Sequence, residues 1–234
     1  MVRHNNFVQY ERVLALSAAA AVLAVGTTVT VAAWNDEEWV FGGNAAGDGP
    51  GIGTSLFEVQ QDTTSPYAQP GTWSDFETNP GDRLLFDLDE ALALTPGDVV
   101  YAPVALSASS DSLGGSVVMQ AAVAAGGMTV NDVDGHLWNA LVLNMRAIET
   151  TATGAPPACS AAGFVSYTSV ILTNTELTPG LDSGIPVAGP DLDAARGNVV
   201  HYCFEISLPS GASADLMGRS VAPAWQFIAT SAAP

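Results

Sequence analysis

The chain has 234 residues, with 24 acidic side chains against six arginines and no lysine, a formal charge of −18. A surface of that sign repels phosphate backbones, which excludes nucleic acid as a partner, and it disfavours adsorption to anionic lipid. At 48% hydrophobic and 13% charged residues the composition is that of a folded protein and not of a disordered one.

The first element is apolar. Val13 to Ala33 is a run of 21 residues without charge, preceded by Arg3 and Arg12 and followed at once by Asp36, Glu37 and Glu38. A basic flank, an apolar core and small residues at the exit describe a secretory signal peptide. Val31-Ala32-Ala33 supplies the small-x-small pattern of a cleavage site, so the cut is expected between Ala33 and Trp34. A run of this length is also long enough to span a bilayer, so an uncleaved segment would be a membrane anchor, and the only membrane contact. Gly26, Thr27, Thr28 and Thr30 make its second half only mildly apolar, which favours cleavage. In either case the positive flank sends the rest of the chain out of the cytoplasm. The 201 residues after the cut keep four arginines against 23 acids, a formal charge of −19.

Gly42 to Ile52 (GGNAAGDGPGI) cannot hold a regular element and reads as a flexible tether. The expected organisation is therefore a signal peptide over 1–33, an exposed segment and tether over 34–53, and a β domain over 54–234. Strands are expected at Ser55–Gln60, Arg83–Asp89, Val99–Ala108 and Ser116–Val123, with a Pro96-Gly97-Asp98 turn before the third. Pro103 argues that this third strand is an edge strand or carries a bulge. Leu137–Ile148 mixes helix formers with the alternating LVLNM and is assigned to strand. Gly163–Thr173, Asn198–Leu208 and Ala224–Thr230 are aromatic and β-branched strands.

About eight strands, turns of Gly, Pro and Asp, and no amphipathic helix longer than two turns predict an all-β fold, an antiparallel β-sandwich. Cys159 and Cys203, an even pair in an exported chain, are expected to form one disulfide. A two-cysteine metal site is the alternative, but neither cysteine has a CxxC partner.

Ala33-Trp34-Asn35-Asp36 resembles the start of exported proteins processed by the SipW type of signal peptidase, in which an aromatic-Asn-Asp or aromatic-x-Asp tripeptide follows Ala. That group includes the TasA matrix-fibre proteins and the camelysins. Leu94-Thr95-Pro96-Gly97-Asp98-Val99 is similar to the Pro-Gly-Asp segment that opens a strand in these relatives, and Pro80-Gly81-Asp82 repeats the tripeptide. The resemblance covers about fifteen residues. It implies a jelly-roll form of the sandwich and a place at the cell surface or in a biofilm matrix. The chain departs from the fibre-forming relatives in having no lysine.

Camelysins are described as metallopeptidases, and catalytic zinc wants three protein ligands. After loss of His4 only His136 and His201 remain, with no HExxH, so the resemblance carries no catalytic residue across and no enzyme is expected. No cofactor is expected either. Calcium is compatible with the many acids, but Asp132-Val133-Asp134-Gly135 fails as an EF-hand loop, since its first and twelfth positions would be Val130 and Leu141. Asp87, Asp89 and Glu90, or Asp191 and Asp193, read as solvated acids. Gly-x-Ser-x-Gly does not occur, and Ser and Asp concentrate in turns.

The function expected is that of an exported structural protein, similar to TasA-type fibre subunits, which assembles with itself or with another exported surface protein. The donor segment would be Trp34 to Phe41, with Trp34, Asn35, Asp36, Trp39 and Phe41 in an extended stretch that completes an exposed sheet edge of a neighbour. The same segment can instead pair within its own domain. The alternatives are a secreted binding module for carbohydrate or a surface protein, using Trp73 or Trp138, and a camelysin-like metallopeptidase.

Overall fold

In a computed structural model, which describes residues 38, 40, 45–46, 51–86, 91–177 and 187–232, runs of branched and small apolar residues between Gly, Pro and Asp turns build, among those described residues, ten strands and a short α-helix. The chain divides into two compact units, residues 1–53 and 54–234. All the elements below lie in the second. They are β1 (Val59–Asp62), β2 (Val99–Ala108), β3 (Gly115–Met119), β4 (Val123–Ala124), α1 (His136–Ala140), β5 (Val142–Thr151), β6 (Ser169–Glu176), β7 (Val187–Ala188), β8 (Asn198–Ser207), β9 (Pro223–Ala224) and β10 (Phe227–Ser231).

Five strands form an antiparallel sheet in the order β1-β2-β8-β5-β6, three form a second sheet in the order β10-β3-β7, and β4 pairs with β9 as a separate ribbon. The fold is all-β and sandwich-like. Alternation along each strand sets the core. Val100, Val104 and Leu106 of β2, Leu143 and Met145 of β5, and Val200, Phe204 and Ile206 of β8 share the inner face of the large sheet. Val117 and Met119 of β3 and Phe227 and Ala229 of β10 pack against them. Tyr202 meets Phe227 at 5.2 Å between ring centroids, and Phe204 meets Trp225 at 4.9 Å. Such aromatic pairs contribute roughly 1 kcal/mol beyond the area they bury.

The outer face of the large sheet is covered too. Tyr67, in the loop after β1, lies edge-on over His201 at 4.6 Å. On the same face Cys159 is joined to Cys203 by a disulfide, and Phe164 and Tyr167 pack around it. Covered on both faces, β8 has seven consecutive buried residues, which accounts for its nearly unbroken apolar sequence NVVHYCF.

Several expected elements moved. The strand expected at Ser55–Gln60 starts at Val59, and the described part of Arg83–Asp89 has no strand: Leu84 and Phe86 are loop residues packed on the core, while 87–89 lie outside the described residues. Leu137–Ile148 is split, the helix formers entering α1 and the alternating part entering β5. Gly163–Thr173 is likewise split into a 3-10 turn at Phe164–Ser166 and β6. Pro103 does not put β2 at an edge, since β2 lies between β1 and β8. The proline fits because β1 reaches only as far as Ala105, so at Pro103 the side of β2 turned from β8 has no strand to bond.

Candidate functional site

Among the described residues a wide concavity lies between two sheet edges. The ladder of β10 and β3 continues through the bonds from Gln120 N–H to the Gln226 carbonyl and from Ala232 N–H to the Gly114 carbonyl, both 2.8 Å. Even-numbered residues of β10 therefore point their main chains at β3. The main-chain groups of Phe227, Ala229 and Ser231 point away, and no strand among the described residues pairs with them. On the other side β1 is bonded to β2, with Ser109 N–H donating to the Glu58 carbonyl at 3.0 Å. Among the described residues its other edge meets a two-bond bridge between Gln61 and Ser74, at 2.9 and 3.0 Å.

Between these edges lies a cavity of about 1440 Å³. Val104, Leu106, Phe204 and Ile206 from the large sheet form its floor, and Trp225 and Phe227 form one wall. Leu92 and Met217 on its lining are 79% and 87% exposed, so apolar surface continues to the mouth. The volume exceeds the roughly 300–1,000 Å³ of small-molecule pockets. An unpaired strand edge beside an apolar trough is the arrangement that accepts an extended segment by strand addition.

The charges at this trough are predominantly negative. Glu58, Asp75, Glu77 and Asp82 line it, against Arg83 and Arg219. Arg219 is committed elsewhere, donating from Nη1 to Asp132 Oδ1 at 2.9 Å. The same carboxylate accepts the N–H groups of Leu137 at 3.1 Å and Trp138 at 2.9 Å, closing the start of α1. Burial pushes Asp132 up, but these three donors outweigh it and hold the carboxyl below its ordinary value. This explains the Asp132-Val133-Asp134-Gly135 stretch: its first carboxylate organises a helix start and a loop–loop contact.

A second polar cluster sits on the outer face. His201 is 2% exposed, and its Nε2 lies 3.0 Å from Thr150 Oγ1. Burial pulls the imidazole down to about 4, against the opposing pull of Asp62. Asp62 accepts from Thr64 N–H at 2.8 Å and Thr72 N–H at 2.7 Å, which folds the loop after β1. Arg196 stacks over Trp73 at 4.5 Å and donates to Gln60. A hydroxyl beside an imidazole is the start of a nucleophile–base pair, yet here the base is weak, covered by Tyr67, and Asp62 is occupied by backbone donors. The cluster fastens the loop to the sheet.

The sequence-derived sites fall as follows. Cys159 and Cys203 are bonded across 5.4 Å between Cα atoms. Ala33, Trp34, Asn35, Asp36, Trp39 and Phe41 lie outside the described residues, as do Asp87, Asp89 and Glu90. Trp73 is stacked under Arg196, and Trp138 packs on the core, so neither offers a flat exposed ring. His136 lies beside Arg219, at 3.4 Å, far along the chain and in a separate cluster from His201. Among the described residues no group of three or more His, Cys, Asp or Glu side chains is placed to hold a metal. Asn198 ties down the Asp191 carbonyl and the Asp193 N–H, at 2.9 and 2.7 Å, and leaves these two acids exposed at the surface. The trough was not foreseen; the available signal was Arg83 to Asp89, an alternating stretch flanked by turns. No protein-family model matches the sequence, and no curated protein matches it with significance.

Proposed function

We propose that the chain is an exported structural subunit of the cell surface or extracellular matrix that assembles by strand addition. A neighbour's Trp34–Phe41 segment enters the trough and pairs with β10. The observation that carries this reading is that no strand among the described residues pairs with the edge of β10 at Phe227, Ala229 and Ser231, beside a wide apolar trough. Main-chain bonds to those three residues supply affinity, and Trp34, Trp39 or Phe41 fill apolar space above Phe204 and Trp225. Residues 42–53, twelve in all, can reach roughly 40 Å when extended, enough to hand the segment to a second copy. The Cys159–Cys203 disulfide is compatible with an oxidising compartment, as expected after export past a cut at Ala33. No enzymatic role is proposed.

Residues 34–234 form filaments visible by negative-stain microscopy under this reading, and removal of 34–41 abolishes them. Filaments from the shortened chain would show that the segment is not the donor. The binding-module alternative loses support because Trp73 and Trp138 are engaged within the domain.

A further inference from the structure

Both partners in this proposed assembly carry charge of the same sign, and this has a consequence for when assembly occurs. The donor stretch holds Asp36, Glu37 and Glu38, offset by one α-amino group if Trp34 is the new N-terminus. The trough holds Glu58, Asp75, Glu77 and Asp82. Against them stands Arg83, since Arg219 is already paired with Asp132. Asp75, Glu77 and Asp82 are exposed residues on the trough's lining. The mature chain as a whole has four arginines against 23 acids, so two copies also repel one another at long range. Like-charged surfaces slow encounter in the way that opposite charges speed it, by factors of ~10 to 10³.

We propose that strand addition at the β1–β10 trough is gated by cations: the subunit stays monomeric at low ionic strength and assembles where salt or divalent cations screen the acids of the donor and of the trough. The proposal rests on the strand-addition reading and adds its regulation. It places the apolar lining as the source of affinity and the acids as a barrier to premature pairing. Screening that lets two copies approach leaves the main-chain bonds and the apolar contacts intact.

The test uses residues 34–234, which keep the whole hydrophobic core and the disulfide. Assembly is followed by light scattering from about 0.02 M to about 1 M NaCl, over which the Debye length falls from roughly 20 Å to about 3 Å. A second protein carries Glu37→Gln, Glu38→Gln, Asp75→Asn and Glu77→Gln; Asp75 and Glu77 are exposed, so their loss leaves the core untouched. The expected result is a rise in assembly rate of ~10-fold or more with salt for the unmodified chain. The neutralised chain assembles fast at low salt and responds much less. An equal salt response in both proteins would overturn the gate, because general salting-out of the apolar mouth would then explain it. A rate independent of salt in the unmodified chain would overturn it as well. No assembly at any salt would overturn the strand-addition reading itself, and the gate with it.

Discussion

Single residues in this domain do work that their type alone does not announce. His201 is the clearest case: an isolated histidine in the sequence, it is sealed under Tyr67 and kept neutral, with burial lowering it to about 4. The unfolded chain takes up a proton near pH 6.5 and the folded one only near 4, so the stability from this site is complete above about pH 6.5 and is lost between there and 4. After allowance for solvent screening the loss is on the order of 2 kcal/mol. His201→Phe flattens the stability–pH curve in that window, as urea titrations at a series of pH values will show. An unchanged slope would mean that other groups set it. Asp132 is the second case. Its carboxylate is 2% exposed and serves two helix N–H groups and Arg219 together. Asp132→Ala is expected to destabilise the domain by about 3 kcal/mol, measured by denaturant unfolding. The sequence offered this residue as a failed calcium ligand; its partner Arg219 is 87 positions away, a pairing that no local pattern reveals.

At the scale of elements, the sequence was informative where strands are long and buried. β2 was read at its observed bounds and β8 to within one residue, because both alternate or run apolar over ten residues. The Pro96-Gly97-Asp98 turn was also legible: Gly97 has φ of 103°, and Asp98 N–H donates to the Thr95 carbonyl at 2.9 Å. Leu84–Phe86 was misread because alternation reports only that one side is apolar. Those residues bury that side as loop, without a strand partner. Which strand neighbours which, and hence the open edge of β10, depends on pairing between distant segments and has no periodic signature. The disulfide was read correctly, and its role follows from where it lies. It ties the Phe164–Tyr167 loop to the centre of β8 across a separation of 44 residues. Replacing both cysteines by alanine is expected to cost about 4 kcal/mol, seen as an earlier unfolding midpoint in urea. A separate substitution probes the edge. The N–H of Ala229 points away from β3, so Ala229→Pro leaves the β10–β3 ladder intact while removing one bond offered to an incoming strand. It should retain the fold by circular dichroism and lose filament formation. Ile228→Pro, which removes a bond inside the ladder, should destabilise the fold.

At the scale of the whole molecule, no strand among the described residues closes the side of the sandwich between β1 and β10. The large sheet has five strands and the small one three, and among the described residues Val104, Leu106, Phe204 and Ile206 of the large sheet line the trough beside β10. Under strand addition, the N-terminal segment of a second copy pairs there, under the control of the acids that line the trough. The sequence supplied the donor and the export signal as expectations; the acceptor came only from the fold.

Hydrogen exchange at the amides of Phe227, Ala229 and Ser231, compared between monomer and assembled material from residues 34–234, is the decisive measurement for strand addition at β10. Their N–H groups point away from β3, while those of Ile228 and Thr230 face β3 and serve as internal controls. With strand addition the first set exchanges fast in the monomer and becomes protected on assembly, while the second is protected in both. Assembled material in which Phe227, Ala229 and Ser231 still exchange as they do in the monomer would contradict it.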